Sequence, residues 1–66
     1  MPIIHVNLVE GRPKEKVAEV IRNITTTVSE TLDAPVESIR VLVTEIPSTH
    51  WGTAGTTMAE KRSLIK

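Results

Sequence analysis

One helical stripe set between two runs of branched residues constrains this chain more than any other feature. From Lys14 to about Leu32, the apolar residues Val17, Val20, Ile21, Ile24, Val28 and Leu32 recur every three or four positions, with charged residues mostly between them. Before this stripe lies Ile3-Ile4-His5-Val6-Asn7-Leu8-Val9, and after it Ile39-Arg40-Val41-Leu42-Val43-Thr44-Glu45. Both runs alternate with the period of a strand, and both are rich in β-branched residues. A strand, a helix of about 20 residues and a second strand form a right-handed parallel βαβ crossover. The class is therefore α/β, with residues 1–66 as a single domain.

The boundaries have local causes. Gly11 permits a turn after the first strand, and Pro13 suits the first helical position, where its missing N–H is no loss. The helix ends at Asp33-Ala34-Pro35, because a residue preceding proline is pushed out of the helical region. Thr25-Thr26-Thr27 has poor helix propensity, yet the apolar period runs through it, so one helix is expected with these threonines on its surface. Pro47 closes the second strand. His50 to Thr57 is rich in small residues and reads as a loop or hairpin, and the pattern assigns no state to Met58–Lys66.

Two strands under one helix leave both sheet edges and one sheet face uncovered. With 66 residues, no cysteine and no Cys/His cluster for a metal, the chain lacks the usual internal supports of a small domain. Oligomerisation is the remaining one: a second copy extends the sheet to four strands, and dimers stack through their open faces. Eight basic and eight acidic residues cancel without a run of like charge, which leaves no electrostatic footprint for nucleic acid. The sequence holds neither an apolar membrane span nor the regions of a signal peptide, so a cytoplasmic location is expected.

Four residues are candidates for chemistry. Pro2 becomes a secondary amine if Met1 is removed; with Met1 attached its nitrogen is part of a peptide bond and cannot act as a base. Arg12 follows the first strand, and Arg40 opens the second on the face of Leu42 and Thr44; a guanidinium grips a carboxylate with two parallel bonds. Trp51 is the only aromatic residue. His5 and His50 lack metal-ligand spacing and read as packing or loop residues.

Pro2 ahead of a β-rich run, Glu10-Gly11-Arg12, Leu32-Asp33-Ala34-Pro35, Ser38-Ile39-Arg40-Val41, Thr44-Glu45 and His50-Trp51-Gly52 together resemble the 4-oxalocrotonate tautomerase family, in order and without gaps, over residues 2 to about 55. The resemblance implies βαβ subunits assembled as a hexamer, a trimer of dimers, that isomerise small carboxylates without a cofactor or metal. It implies that Pro2 shuttles the proton, Arg12 binds the distal carboxylate of a dicarboxylate, Arg40 binds the carboxylate and oxygen at the reacting end, and Trp51, where the family usually has phenylalanine, walls the pocket. It also implies that the arginines reach a given proline from neighbouring subunits. An α-amino group ordinarily titrates at about 8, and partial burial beside arginines disfavours its charged form. The expected reaction is enol to keto tautomerisation, typified by 2-hydroxymuconate. Two other readings use the same residues: a haloacrylate dehalogenase or hydratase, which also needs a carboxylate to activate water, and a non-catalytic oligomeric carboxylate-binding protein. Pro13, where the family often has Ser or Thr, removes a side-chain helix cap, and Ala54-Gly55 replaces a frequent Gly-Gly.

Overall fold

The computed structural model describes residues 2–64. Strand β1 (Ile3–Val9) leads into helix α1 (Lys14–Leu32), which returns the chain through a single 3-10 turn (Val36–Ser38) to strand β2 (Arg40–Ile46). The two strands pair in parallel from Ile3 opposite Arg40 to Val9 opposite Ile46. Parallel register puts each pair on one face, so the pleat sorts the side chains. Ile4, Val6, Val41 and Val43 are half-buried on the helix side, while Ile3, His5, Asn7, Arg40, Leu42 and Thr44 stand exposed on the other.

Helix α1 turns Val17, Val20, Ile21, Ile24 and Val28 inward. The stripe's last member, Leu32, is 62% exposed because the helix ends there. Two of the three threonines send their hydroxyls back into the helix: Thr25 Oγ1 donates to the Ile21 carbonyl at 2.7 Å and Thr26 Oγ1 to that of Arg22 at 3.1 Å. These bonds occupy side chains that would otherwise compete for the backbone.

Helix α1 spans the expected residues, with one difference in detail at its start. Pro13 is the N-cap residue rather than the first helical one; its φ of −61° and ψ of 148° are extended, and its carbonyl accepts from Lys16 and Val17. No side chain caps this end. At the other end Asp33 takes the left-handed conformation, φ 56°, and Ala34 N–H bonds to the Ser29 carbonyl at 3.1 Å. The helix is closed by this wrapped turn one step before the Ala34-Pro35 boundary.

Past β2, a 3-10 turn (Ser48–His50) precedes a small antiparallel hairpin, β3 (Gly52–Thr53) with β4 (Thr56–Thr57). Ala54 (φ 54°) and Gly55 (φ 81°) are both left-handed at its tip, as a tight two-residue hairpin turn requires. The segment that the apolar pattern left unassigned forms helix α2 (Met58–Leu64); residues 65 and 66 lie outside the described part. Thr57 and Glu60 start α2 by reciprocal bonding: Thr57 N–H donates to Glu60 Oε1 at 2.8 Å, and Glu60 N–H donates to Thr57 Oγ1 at 3.1 Å. The two bonds from Thr57, backbone first and hydroxyl second, hold the exposed Glu60 carboxyl below its ordinary range.

Little of this surface is closed. Only Val9 and Ile39 are buried among the apolar residues described, at 8% and 7% exposure. The chain exposes 5072 Å², where a compact monomer of this size exposes roughly 4,200 Å². Its radius of gyration is 15.2 Å, against about 11 Å for a compact domain of this length. Ile3 at 68% and Leu42 at 53% leave two large apolar side chains bare on the otherwise polar open sheet face. Among the described residues, no helix is long and apolar enough to cross a membrane.

Candidate active site

The parallel register brings two of the four candidate residues together. Pro2 is half-buried immediately before β1, and its carbonyl accepts the Arg40 amide at 3.0 Å. The start of β1 is thereby fastened to the start of β2 by backbone alone. Arg40 lies on the open face, and its guanidinium Nη1 folds back to the Glu37 carbonyl at 2.8 Å and the Ile39 carbonyl at 3.4 Å. The carbonyls of the turn before β2 thus orient the cation, and its other nitrogens remain available. Among the described residues, the only ion pair joins Lys16 and Glu19, so neither Arg40 nor Arg12 is neutralised by a carboxylate.

Arg12 is at the other end of the sheet. β1 has seven residues, so about 20 Å separates its two ends, and one chain cannot direct Pro2 and Arg12 at the same small molecule. Gly11, with φ 125°, turns the chain out of β1 in a conformation that an L side chain rarely adopts. Arg12 Nη1 then reaches back to the Val9 carbonyl at 3.1 Å, fixing the side chain over the strand end.

Beside it opens a groove of about 390 Å³. Helix α1 packs principally over β2, so the Leu8 end of β1 is roofed only from one side. Leu8, Val17 and Val20 supply an apolar floor, and Arg12, Lys16, Glu19 and Asn23 supply polar walls. Arg12 lies just before α1 and Lys16 in its first turn, and both side chains line the groove. The sequence singles out neither Lys16 nor Glu19; their sharing a groove with Arg12 follows from where the helix lies over the sheet.

Trp51 is half-buried beyond the second 3-10 turn, and its carbonyl accepts the Met58 amide at 2.7 Å, closing the hairpin. It follows the end of β2 that is level with Val9, and in one chain no described contact joins it to Pro2. His5 Nε2 and Thr44 Oγ1 are 2.7 Å apart across the open face, and His50 Nδ1 bonds with Thr49 Oγ1 at 2.8 Å. Each histidine therefore has a hydroxyl partner. Among the described residues, no group of three potential metal ligands occurs.

The model of a family described as tautomerase enzyme matches residues 2–61. The chain belongs to the tautomerase family. It is 42% identical over 55 residues to a 2-hydroxymuconate tautomerase of Stutzerimonas stutzeri, a match covering 83% of this chain and 87% of the relative. It is also similar to the crystal structure of TomN, a 4-oxalocrotonate tautomerase homologue in the tomaymycin biosynthetic pathway, with a TM-score of 0.91, 42% identity, and 94% and 95% of the two chains covered. A third likeness is to a heterohexamer 4-oxalocrotonate tautomerase from Chloroflexus aurantiacus, at a TM-score of 0.87 and 33% identity over 91% of this chain and 97% of that one. The chain is accordingly an isomerase of the 4-oxalocrotonate tautomerase type, built on the parallel βαβ fold expected from its sequence.

Proposed function

We propose that this tautomerase converts the enol of an unsaturated 2-hydroxy acid, such as 2-hydroxymuconate, to its keto form in a homo-oligomer, with Pro2 as acid and base once Met1 is removed. The observation that carries the proposal is the bond from the Arg40 amide to the Pro2 carbonyl, which sets Pro2, a terminal amine once Met1 is removed, beside the start of the arginine-bearing strand. Two further facts support it: the Stutzerimonas stutzeri relative is a 2-hydroxymuconate tautomerase, and the Chloroflexus aurantiacus one is a heterohexamer.

The neutral nitrogen of Pro2 takes the proton of the 2-hydroxyl and returns it to a carbon farther along the conjugated chain. No atom is gained or lost, so no co-reactant is needed. As charge moves toward the 2-oxygen, the Arg40 guanidinium stabilises it together with the adjacent carboxylate. The arginines reach a given Pro2 from neighbouring copies, Arg12 among them. Antiparallel pairing along the open edge of β1 brings the Arg12 end of one strand level with the Pro2 end of the other, and the distal carboxylate then meets Arg12. Trp51 closes the site with an apolar wall, and excluding water strengthens both cationic contacts.

The test is the rate of 2-hydroxymuconate ketonisation by protein whose intact mass proves Met1 absent, beside Pro2→Ala and Arg40→Ala. Both substitutions are expected to lower kcat/KM by about a hundred-fold or more, as losses of an acid–base group and of a charge-stabilising donor do. A rate in assembled protein no better than buffer rejects this substrate, and chloride release from a chloroacrylate would redirect the reading to dehalogenation.

A further inference from the structure

Resting on that reading of Arg12, we propose that the groove beside it is a two-cation subsite, in which Lys16 joins Arg12 in holding the distal carboxylate and Glu19 tempers its charge. Arg12 already commits one nitrogen to the Val9 carbonyl, which aims the guanidinium but reduces the donors left for a ligand. Lys16 sits in the same groove, four residues on, and its only ion-pair partner among the described residues is Glu19, at 3.4 Å. That is a long contact between side chains 67% and 49% exposed, of the kind that contributes about 1 kcal/mol or less. An arriving carboxylate therefore competes well for the ammonium.

The floor fits the rest of such a ligand. Leu8, Val17 and Val20 are apolar and unbranched by any polar atom, so they accept the hydrocarbon of a conjugated chain while the cations take its end. Glu19 repels the same carboxylate, which makes the groove's preference for a dianion adjustable by one residue in either direction. The chain therefore discriminates a dicarboxylate from a monocarboxylate of the same length at Lys16, away from the reacting centre.

Binding without turnover tests this directly. Inert trans,trans-muconate, a dicarboxylate, and sorbate, which has a methyl group at its distal end, are titrated into the Met1-free assembled protein and followed by amide chemical shifts. Lys16→Gln is expected to lower the muconate-to-sorbate affinity ratio about three- to ten-fold, the worth of one partly exposed charge-assisted contact. Lys16→Arg should keep the ratio, and Glu19→Gln should raise it. If Lys16→Gln leaves the ratio unchanged in protein that still ketonises 2-hydroxymuconate, the subsite falls while the tautomerase reading stands. If the ratio shifts as expected in protein that turns nothing over, the subsite stands and the proposed substrate falls.

Discussion

Replacing Leu42 with alanine tests whether the open sheet face is where copies of the chain meet. Leu42 lies in the middle of that face, paired with His5 across the sheet, and is 53% exposed in the isolated fold. Truncation to alanine removes about 60 Å² of the surface that a covering partner would bury, worth about 1.5 kcal/mol per chain at 25 cal/mol per Å². In a symmetric contact two chains contribute, so the loss doubles and the dissociation constant rises roughly a hundred-fold. Leu42 is on the face away from α1, so the βαβ unit itself should persist. Sedimentation velocity across a dilution series reads the association, and circular dichroism checks the fold at each point. Unchanged association with an intact fold would refute the argument from the bare face. A monomer with full activity at the highest dilution would also refute the requirement for a second copy.

Two other substitutions probe the carboxy-terminal part. Ala54→Asn places a residue tolerant of left-handed backbone before Gly55 and should stabilise the hairpin by about 0.5–1 kcal/mol; a lower Tm would contradict the turn geometry. Glu60→Gln should speed amide exchange at the start of α2 at neutral pH, because the charged acceptor for Thr57 is lost. In the unsubstituted chain the Glu60 carboxyl is held below its ordinary range by Thr57, so its contribution is complete above that range and is lost as pH falls through the lowered value. The protection of the same amides, taken relative to their intrinsic exchange rate at each pH, should therefore fall in acid, and unchanged protection below the ordinary carboxylate range would count against the bond.

How far the sequence reached depends on which forces were local. The extents of β1 and α1 were readable because alternation and the helical period are written along the chain, and β2 is displaced by one residue, Arg40–Ile46 against 39–45. Helix α2 was missed although Thr57-Met58-Ala59-Glu60 has the spacing of a capping box. The signal was present, but so short a helix has too little apolar period to draw attention. Pro13 was placed one position too far into the helix, because its fixed φ suits either site and only ψ separates them. Only the resemblance assigned Pro2 and Arg40 to one site; the backbone bond between them was not legible, since it depends on the register of two strands far apart in sequence. The same holds for Lys16 beside Arg12, which depends on how α1 is offset over the sheet.

The 20 Å of strand between Pro2 and Arg12 has a genetic consequence. On the proposed division of labour, each chain carries half of two different sites, the proton carrier of one and the distal anchor of another. A chain that has lost Pro2 still lends Arg12 to its neighbour, and a chain that has lost Arg12 still lends Pro2. Two defective alleles produced in one cell would therefore complement each other wherever their products meet. After gene duplication, each copy is free to decay at one end of β1 while the pair remains competent, so mixed assemblies become obligatory by loss of function rather than by gain of it.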